Sequence, residues 1–121
     1  MKPSFLKSVS FAINGLKLVW HEKHFKIHLI ASVLSITLSF VLNVSMLEWV
    51  VILICIGAVI SLEMINTAIE HLVDLVEPNY NPKAGAIKDL AAGGVLVFSM
   101  ISALIGIMIF GKYILALLFV N

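Results

Sequence analysis

Charge is scarce in this chain of 121 residues: only 12% of them are charged, against 61% hydrophobic, and mean hydropathy is +1.10. That scarcity excludes an ordinary soluble domain and implies an integral membrane protein. There is one cysteine, Cys55, so an intrachain disulfide and a thiolate metal site are both excluded. Inside its apolar run Cys55 reads as a small core hydrophobe. Proline occurs three times, and two of these residues share one short segment, Glu77-Pro-Asn-Tyr-Asn-Pro82, which must be a loop. The chain also lacks a Walker A loop, a glycine-rich phosphate cradle, a zinc-spaced histidine pair and a Ser-His-Asp arrangement. The net charge of +1 hides an asymmetry, with Lys2, Lys7, Lys17, Lys23 and Lys26 opposed only by Glu22 ahead of the first long apolar stretch; no nucleic-acid partner is expected.

What is present divides at residue 26. Residues 3–24 carry two stripes at helical spacing. Leu6, Val9, Ile13, Leu16 and Trp20 form the apolar stripe; Lys7, Ser10, Asn14, Lys17 and His21 form the polar one. This pattern predicts an amphipathic helix lying in the membrane interface, its lysines toward anionic headgroups. A cleaved signal peptide is not expected, because the basic region is long and no small-x-small site follows the apolar run. Three membrane helices are predicted beyond it, over 27–47, 49–76 and 88–119. Asn43, Ser45 and Glu48 turn the chain between the first two, and Gly111-Lys112 interrupts the apolar pattern of the last. Gly93, Gly94 and Gly106 allow close helix contacts. Trp20 and Trp49 suit interface anchors, and Glu48 and Lys112 read as solvated ends. The whole, 1–121, is one all-α membrane domain.

Seven of the eight lysines lie in the N-terminal segment or the 77–88 loop. Both are therefore expected on the cytoplasmic side of the membrane.

Against this background four polar residues stand out within the second span: Glu63, Asn66, Glu70 and Asp74. Spacings of 3, 4 and 4 place them within roughly 80° of one helical face. A carboxylate at membrane depth costs about 2.5–3.5 kcal/mol on insertion scales, so a stripe of them requires a metal, a proton-transfer role or a polar pathway. A purely structural seam explains Asn66 but makes two carboxylates costly glue. Asp74 suits either an indirect role or a solvated helix end. Lys88-Asp89 alone would be an ordinary helix start, and Glu22 alone a solvated charge among lysines. His21, His24, His28 and His71 suit an interface without metal. If the orientation holds, the stripe faces the compartment that holds ATP and Mg²⁺. Phosphoryl transfer there needs charge neutralisation, alignment and a base. Glu63 lies deepest, and Glu70 is two turns nearer the headgroups.

The run Glu63-x-x-Asn66-Thr67-Ala68-Ile69-Glu70-x-x-Val73-Asp74 resembles the signature of the small bacterial integral-membrane diacylglycerol kinase and undecaprenol kinase family. Lys88-Asp89-Leu-Ala-Ala resembles its second motif, and Glu22-Lys-His-Phe25-Lys-Ile-His28 its first acidic one. The likeness covers essentially the whole chain. It implies an ATP- and Mg²⁺-dependent lipid kinase in which Glu63 is the catalytic base and Asn66 orients the reacting groups. Glu22 and Glu70 would hold Mg²⁺ on the nucleotide; Asn79, Tyr80, Asn81, Lys88 and Asp89 would contact the nucleotide itself. It further implies a homotrimer with sites shared between neighbours. His28 stands where diacylglycerol-specific members carry a second acidic residue, which favours undecaprenol over diacylglycerol as the acceptor. A non-catalytic ion or proton pathway is the reading from another class, and it leaves Lys88-Asp89 and the 79–81 loop without a role.

Overall fold

A computed structural model of the chain describes residues 2–120; Met1 and Asn121, the ends of the expected 1–121 domain, lie outside the described residues. Four helices follow one another: α1 (Phe5–Val19), α2 (Lys23–Val41), α3 (Met46–Val76) and α4 (Pro82–Phe119). The last three are long and apolar enough to cross a membrane. At 1.5 Å per residue α4 measures about 57 Å and α3 about 46 Å, both longer than a hydrocarbon core of about 30 Å. Their ends therefore stand clear of it.

Helix boundaries differ from the sequence reading where polar groups settle them. Helix α1 is shorter than 3–24, because the chain turns through Trp20, His21 and Glu22. Helix α2 starts at Lys23 rather than 27, with Glu22 in the N-cap position. Helix α4 begins six residues ahead of Lys88: the Asn81 side chain accepts a hydrogen bond from the Lys83 N–H at 2.9 Å, and Pro82 suits the first turn, whose N–H has no helical partner. The interruption expected at Gly111-Lys112 does not occur, and α4 runs through it. Between α2 and α3, Asn43 takes a left-handed φ of 51°. Ser45 then caps α3 in a reciprocal box: its hydroxyl accepts from the Glu48 N–H and the Glu48 carboxylate accepts from the Ser45 N–H.

The packed face of α3 explains the bundle. Ile52, Val59, Glu63, Asn66 and Thr67 are its buried residues. They form one stripe, apolar up to Val59 and polar from Glu63 onward. Helices α2 and α4 pack against α3, with Phe25, Val44 and Val95 completing the small core. On α2 the polar residues His28, Ser32, Ser35 and Ser39 repeat at intervals of 4, 3 and 4. The serine hydroxyls donate to carbonyls one turn back, so burial leaves them satisfied.

Glu48 and Lys112 are not simply solvated ends. The Glu48 carboxylate accepts from the Tyr113 hydroxyl at 2.6 Å and pairs with Lys112, tying the start of α3 to the end of α4. A Cβ built on Gly93 or Gly94 meets nothing within 4 Å, so the close contacts expected there are not made within the chain. Helix α1 buries only Val19.

Candidate active site

The polar half of the α3 stripe holds the candidate chemistry. Glu63 and Asn66 are each 4% exposed. The Asn66 amide nitrogen donates to Glu70 Oε1 at 2.9 Å, one helical turn away. Since a carboxylate can only accept, this bond fixes the amide orientation and turns Asn66 Oδ1 the other way. That oxygen is buried and has no partner among the described residues. An unpaired buried acceptor destabilises a folded protein.

The Glu63 carboxylate has His28 Nε2 at 3.6 Å from its Oε2, delivered by the first turns of α2. Of the basic and histidine side chains among the described residues, His28 alone comes within 4 Å of Glu63. The pair was not visible from sequence, where His28 reads as an interfacial residue. Its signal was the α2 polar stripe it heads, which has the same helical spacing as the stripe on α3.

Glu22 reaches the same end of the bundle by a different route. Although it occupies the N-cap position of α2, its carboxylate makes no cap and lies 3.5 Å from His71 Nε2. His71 follows Glu70 in α3. The turn between α1 and α2 thus rests against the turn of α3 that carries Glu70. Further out, Lys88 pairs with Asp74, joining α4 to the last turns of α3. Asp74 is therefore more than a solvated helix end, because it holds the lysine. Asp89, beside Lys88, is exposed. In the loop, Tyr80 projects with 94% of its surface free, the Asn79 N–H donates to the Glu77 side chain, and the Asn81 side chain is engaged as the α4 cap.

The structure thus brings together Glu63, Asn66 and Glu70 on one side, and Lys88 with Asp74 on another. No hydrogen bond or ion pair joins Asn79, Tyr80 or Asp89 to either group among the described residues.

No three His, Cys, Asp or Glu side chains among the described residues converge as a cage for a bare ion. The donor set is nonetheless suitable for Mg²⁺ carried with a nucleotide, which takes one or two carboxylates and completes its shell with phosphate oxygens and water. Glu70 keeps Oε2 outside the Asn66 bond, and Glu22 has no cap to break.

Along the apolar half of the stripe runs a cavity of about 620 Å³ between α2, α3 and α4. His28 lies at one end and Ile114 at the other; Ile52, Val59 and Phe110 line its apolar walls, and Ser102 supplies a buried hydroxyl with no partner. Glu63 is not among the lining residues, whereas His28, 3.6 Å from its carboxylate, is.

Comparison with known proteins places this arrangement. Residues 10–110 match the prokaryotic diacylglycerol kinase family. The chain is 42% identical over 110 residues to an undecaprenol kinase of Bacillus subtilis, covering 88% of this chain and 87% of the relative. It is 34% identical over 113 residues to a diacylglycerol kinase of Helicobacter pylori, covering 92% and 84%. To a diacylglycerol kinase of Escherichia coli it is 25% identical over 100 residues, covering 82% of each. A match across five-sixths of the chain favours an enzyme over an ion pathway: the chain is a lipid kinase of the prokaryotic diacylglycerol kinase family.

Proposed function

We propose that the chain transfers the γ-phosphate of ATP to the hydroxyl of undecaprenol at the cytoplasmic leaflet of a bacterial inner membrane, with Mg²⁺ accompanying the nucleotide. The observation that carries the reaction is the Glu63–Asn66–Glu70 stripe, in which Glu63 and Asn66 are buried and Asn66 holds Glu70. The choice of undecaprenol rests on the 42% identity to a relative of that name, against 25–34% for those named diacylglycerol kinase. The same stripe serves a diacylglycerol acceptor equally well, and that is the second reading.

In the proposed step Glu63 takes the proton of the lipid hydroxyl as its oxygen forms a bond to the γ-phosphorus. The bond from that phosphorus to the bridging oxygen breaks, and ADP leaves. Asn66 orients the reacting groups by holding Glu70 through its amide nitrogen. Glu70 lies about 10 Å farther along α3, the rise of seven residues, which sets base and metal ligand at opposite sides of the phosphate. Glu22 and Glu70 would hold Mg²⁺, which supplies charge neutralisation on the phosphates when bound. Lys88, kept in place by Asp74, adds a cation for the charge that builds up during transfer. Asn79, Tyr80, Asn81 and Asp89 stand where they can follow the nucleotide's outer parts. The cavity beside His28 suits the hydrocarbon next to the reacting hydroxyl.

Helix α1 is proposed to lie in the interface, with Phe5, Leu6 and Leu16 in lipid. Assembly as a homotrimer would cover the open faces of α4 and let one protomer's Glu22 or Lys88 complete its neighbour's site.

The test is Mg²⁺-ATP-dependent phosphorylation of undecaprenol and diacylglycerol side by side in mixed micelles, with Glu63→Gln as the control. Undecaprenol turnover that disappears in Glu63→Gln supports reaction, substrate and base. Preference for diacylglycerol overturns the substrate alone. Turnover of neither lipid overturns the proposal.

A further inference from the structure

A base that is buried must lose its proton before it can act again. Glu63, assigned as base by the proposed reaction on which this inference rests, has a side chain only 5% exposed. Each turnover would leave a neutral carboxylic acid there, and among the described residues no hydrogen bond to its carboxylate offers that proton an exit. The neighbouring amide of Asn66 can neither take nor pass it as an acid or base, and its nitrogen is committed to Glu70. One side chain has the right chemistry and the right place. His28 Nε2 lies 3.6 Å from Glu63 Oε2, and its own side chain is 21% exposed, four times as open as the base. Histidine is the side chain best able to gain and lose a proton near neutral pH.

His28 is among the residues that line the cavity between α2, α3 and α4, while Glu63 is not. The pair therefore links the space suited to lipid with the base.

We infer that His28 relays the proton of the reaction, accepting at Nε2 the proton that Glu63 takes from the lipid hydroxyl and passing it on toward the cytoplasmic interface. The steps balance: the hydroxyl proton moves to a Glu63 oxygen, then to the Nε2 lone pair of a neutral imidazole. Glu63 is left ionised for the next acceptor, and the imidazolium then gives up a proton to water. His28 takes no part in the bond changes at phosphorus and acts through Glu63. Replacing it should therefore lower kcat and leave the KM for nucleotide alone.

The experiment uses the full chain in mixed micelles, with His28→Ala, His28→Gln and Glu63→Gln measured beside the parent. The expected result is a fall in kcat of about 10- to 100-fold in both His28 variants, a part of the 10²- to 10⁴-fold typical of acid–base help, with nucleotide KM within twofold. Glutamine can donate a hydrogen bond but cannot relay a proton, so it should not rescue. Added imidazole should restore His28→Ala at least tenfold, entering the space left next to the cavity, and should do nothing for Glu63→Gln. Full activity in His28→Gln overturns the relay, because a hydrogen bond then suffices. A loss in His28→Ala that imidazole leaves untouched also overturns it. Undiminished turnover by Glu63→Gln is a different failure: it removes the assigned base, and the relay falls with it.

Discussion

Asn66 offers the sharpest test of how the α3 stripe works, because its two amide atoms have different fates. Its nitrogen holds Glu70 Oε1 at 2.9 Å, while its oxygen is buried without a partner. Asn66→Ala removes a hydrogen bond to a charged group, worth about 1.5–3 kcal/mol. If Glu70 must be held to receive the metal-bound nucleotide, that energy is expressed in kcat/KM as a loss of about 10- to 150-fold, at 1.36 kcal/mol per tenfold. The loss of Oδ1 acts in the opposite direction on stability, since an orphaned acceptor disappears with it. The thermal midpoint should therefore fall less than the activity does. The assay is a double-mutant cycle over parent, Asn66→Ala, Glu70→Gln and the double variant, reading kcat/KM for Mg²⁺-ATP at saturating lipid. Coupling of about 1–3 kcal/mol is expected for residues in direct contact. Additivity within about 0.5 kcal/mol, the behaviour of distant sites, would refute the idea that Asn66 serves the reaction through Glu70.

Ser45→Ala opens the reciprocal cap of α3 and should cost about 0.5–2 kcal/mol of stability, seen as a lower unfolding midpoint; kcat should be unchanged, because Glu63 lies about 27 Å away along the helix. Lys88→Met should raise the nucleotide KM about tenfold or more, the share of one charge-assisted bond. Asp74→Asn should cost at most about 1 kcal/mol of stability, as exposed pairs do; equal KM effects in the two would give Asp74 a direct role. With Cys55→Ala as background, single cysteines introduced as Lys83→Cys and Lys112→Cys should react with an impermeant thiol reagent from opposite sides of intact vesicles, and labelling from one side would overturn the proposed orientation.

Several features were legible in the residues alone because their causes are local. Scarce charge and long apolar runs foretell that helices α2, α3 and α4 are long and apolar enough to cross a membrane, for a lipid environment demands that every backbone polar group be paired within its own segment. Glu63, Asn66 and Glu70 declare themselves by the energy needed to bury carboxylates and by a spacing that a helix converts into a single face. Helix ends were harder. Asn81 and Pro82 moved the start of α4 ahead of Lys88, since a cap and a first-turn proline act over only a few residues and compete with the hydrophobic pattern.

Partners between helices were not legible at all. Nothing in the sequence joins His28 to Glu63, Glu22 to His71, Lys88 to Asp74, or Glu48 to Lys112 and Tyr113. The last of these crosses 65 residues and turned two expected solvated ends into one tie. Such pairs depend on the rotation and register with which one helix packs on another. That is set by the summed packing of many side chains, none of which is specific by itself. The class of molecule, the chemical stripe and the residues able to carry a phosphoryl transfer are all written in the order of the amino acids. Which side chain stands beside the base is not, because that choice belongs to the packing of α2 on α3.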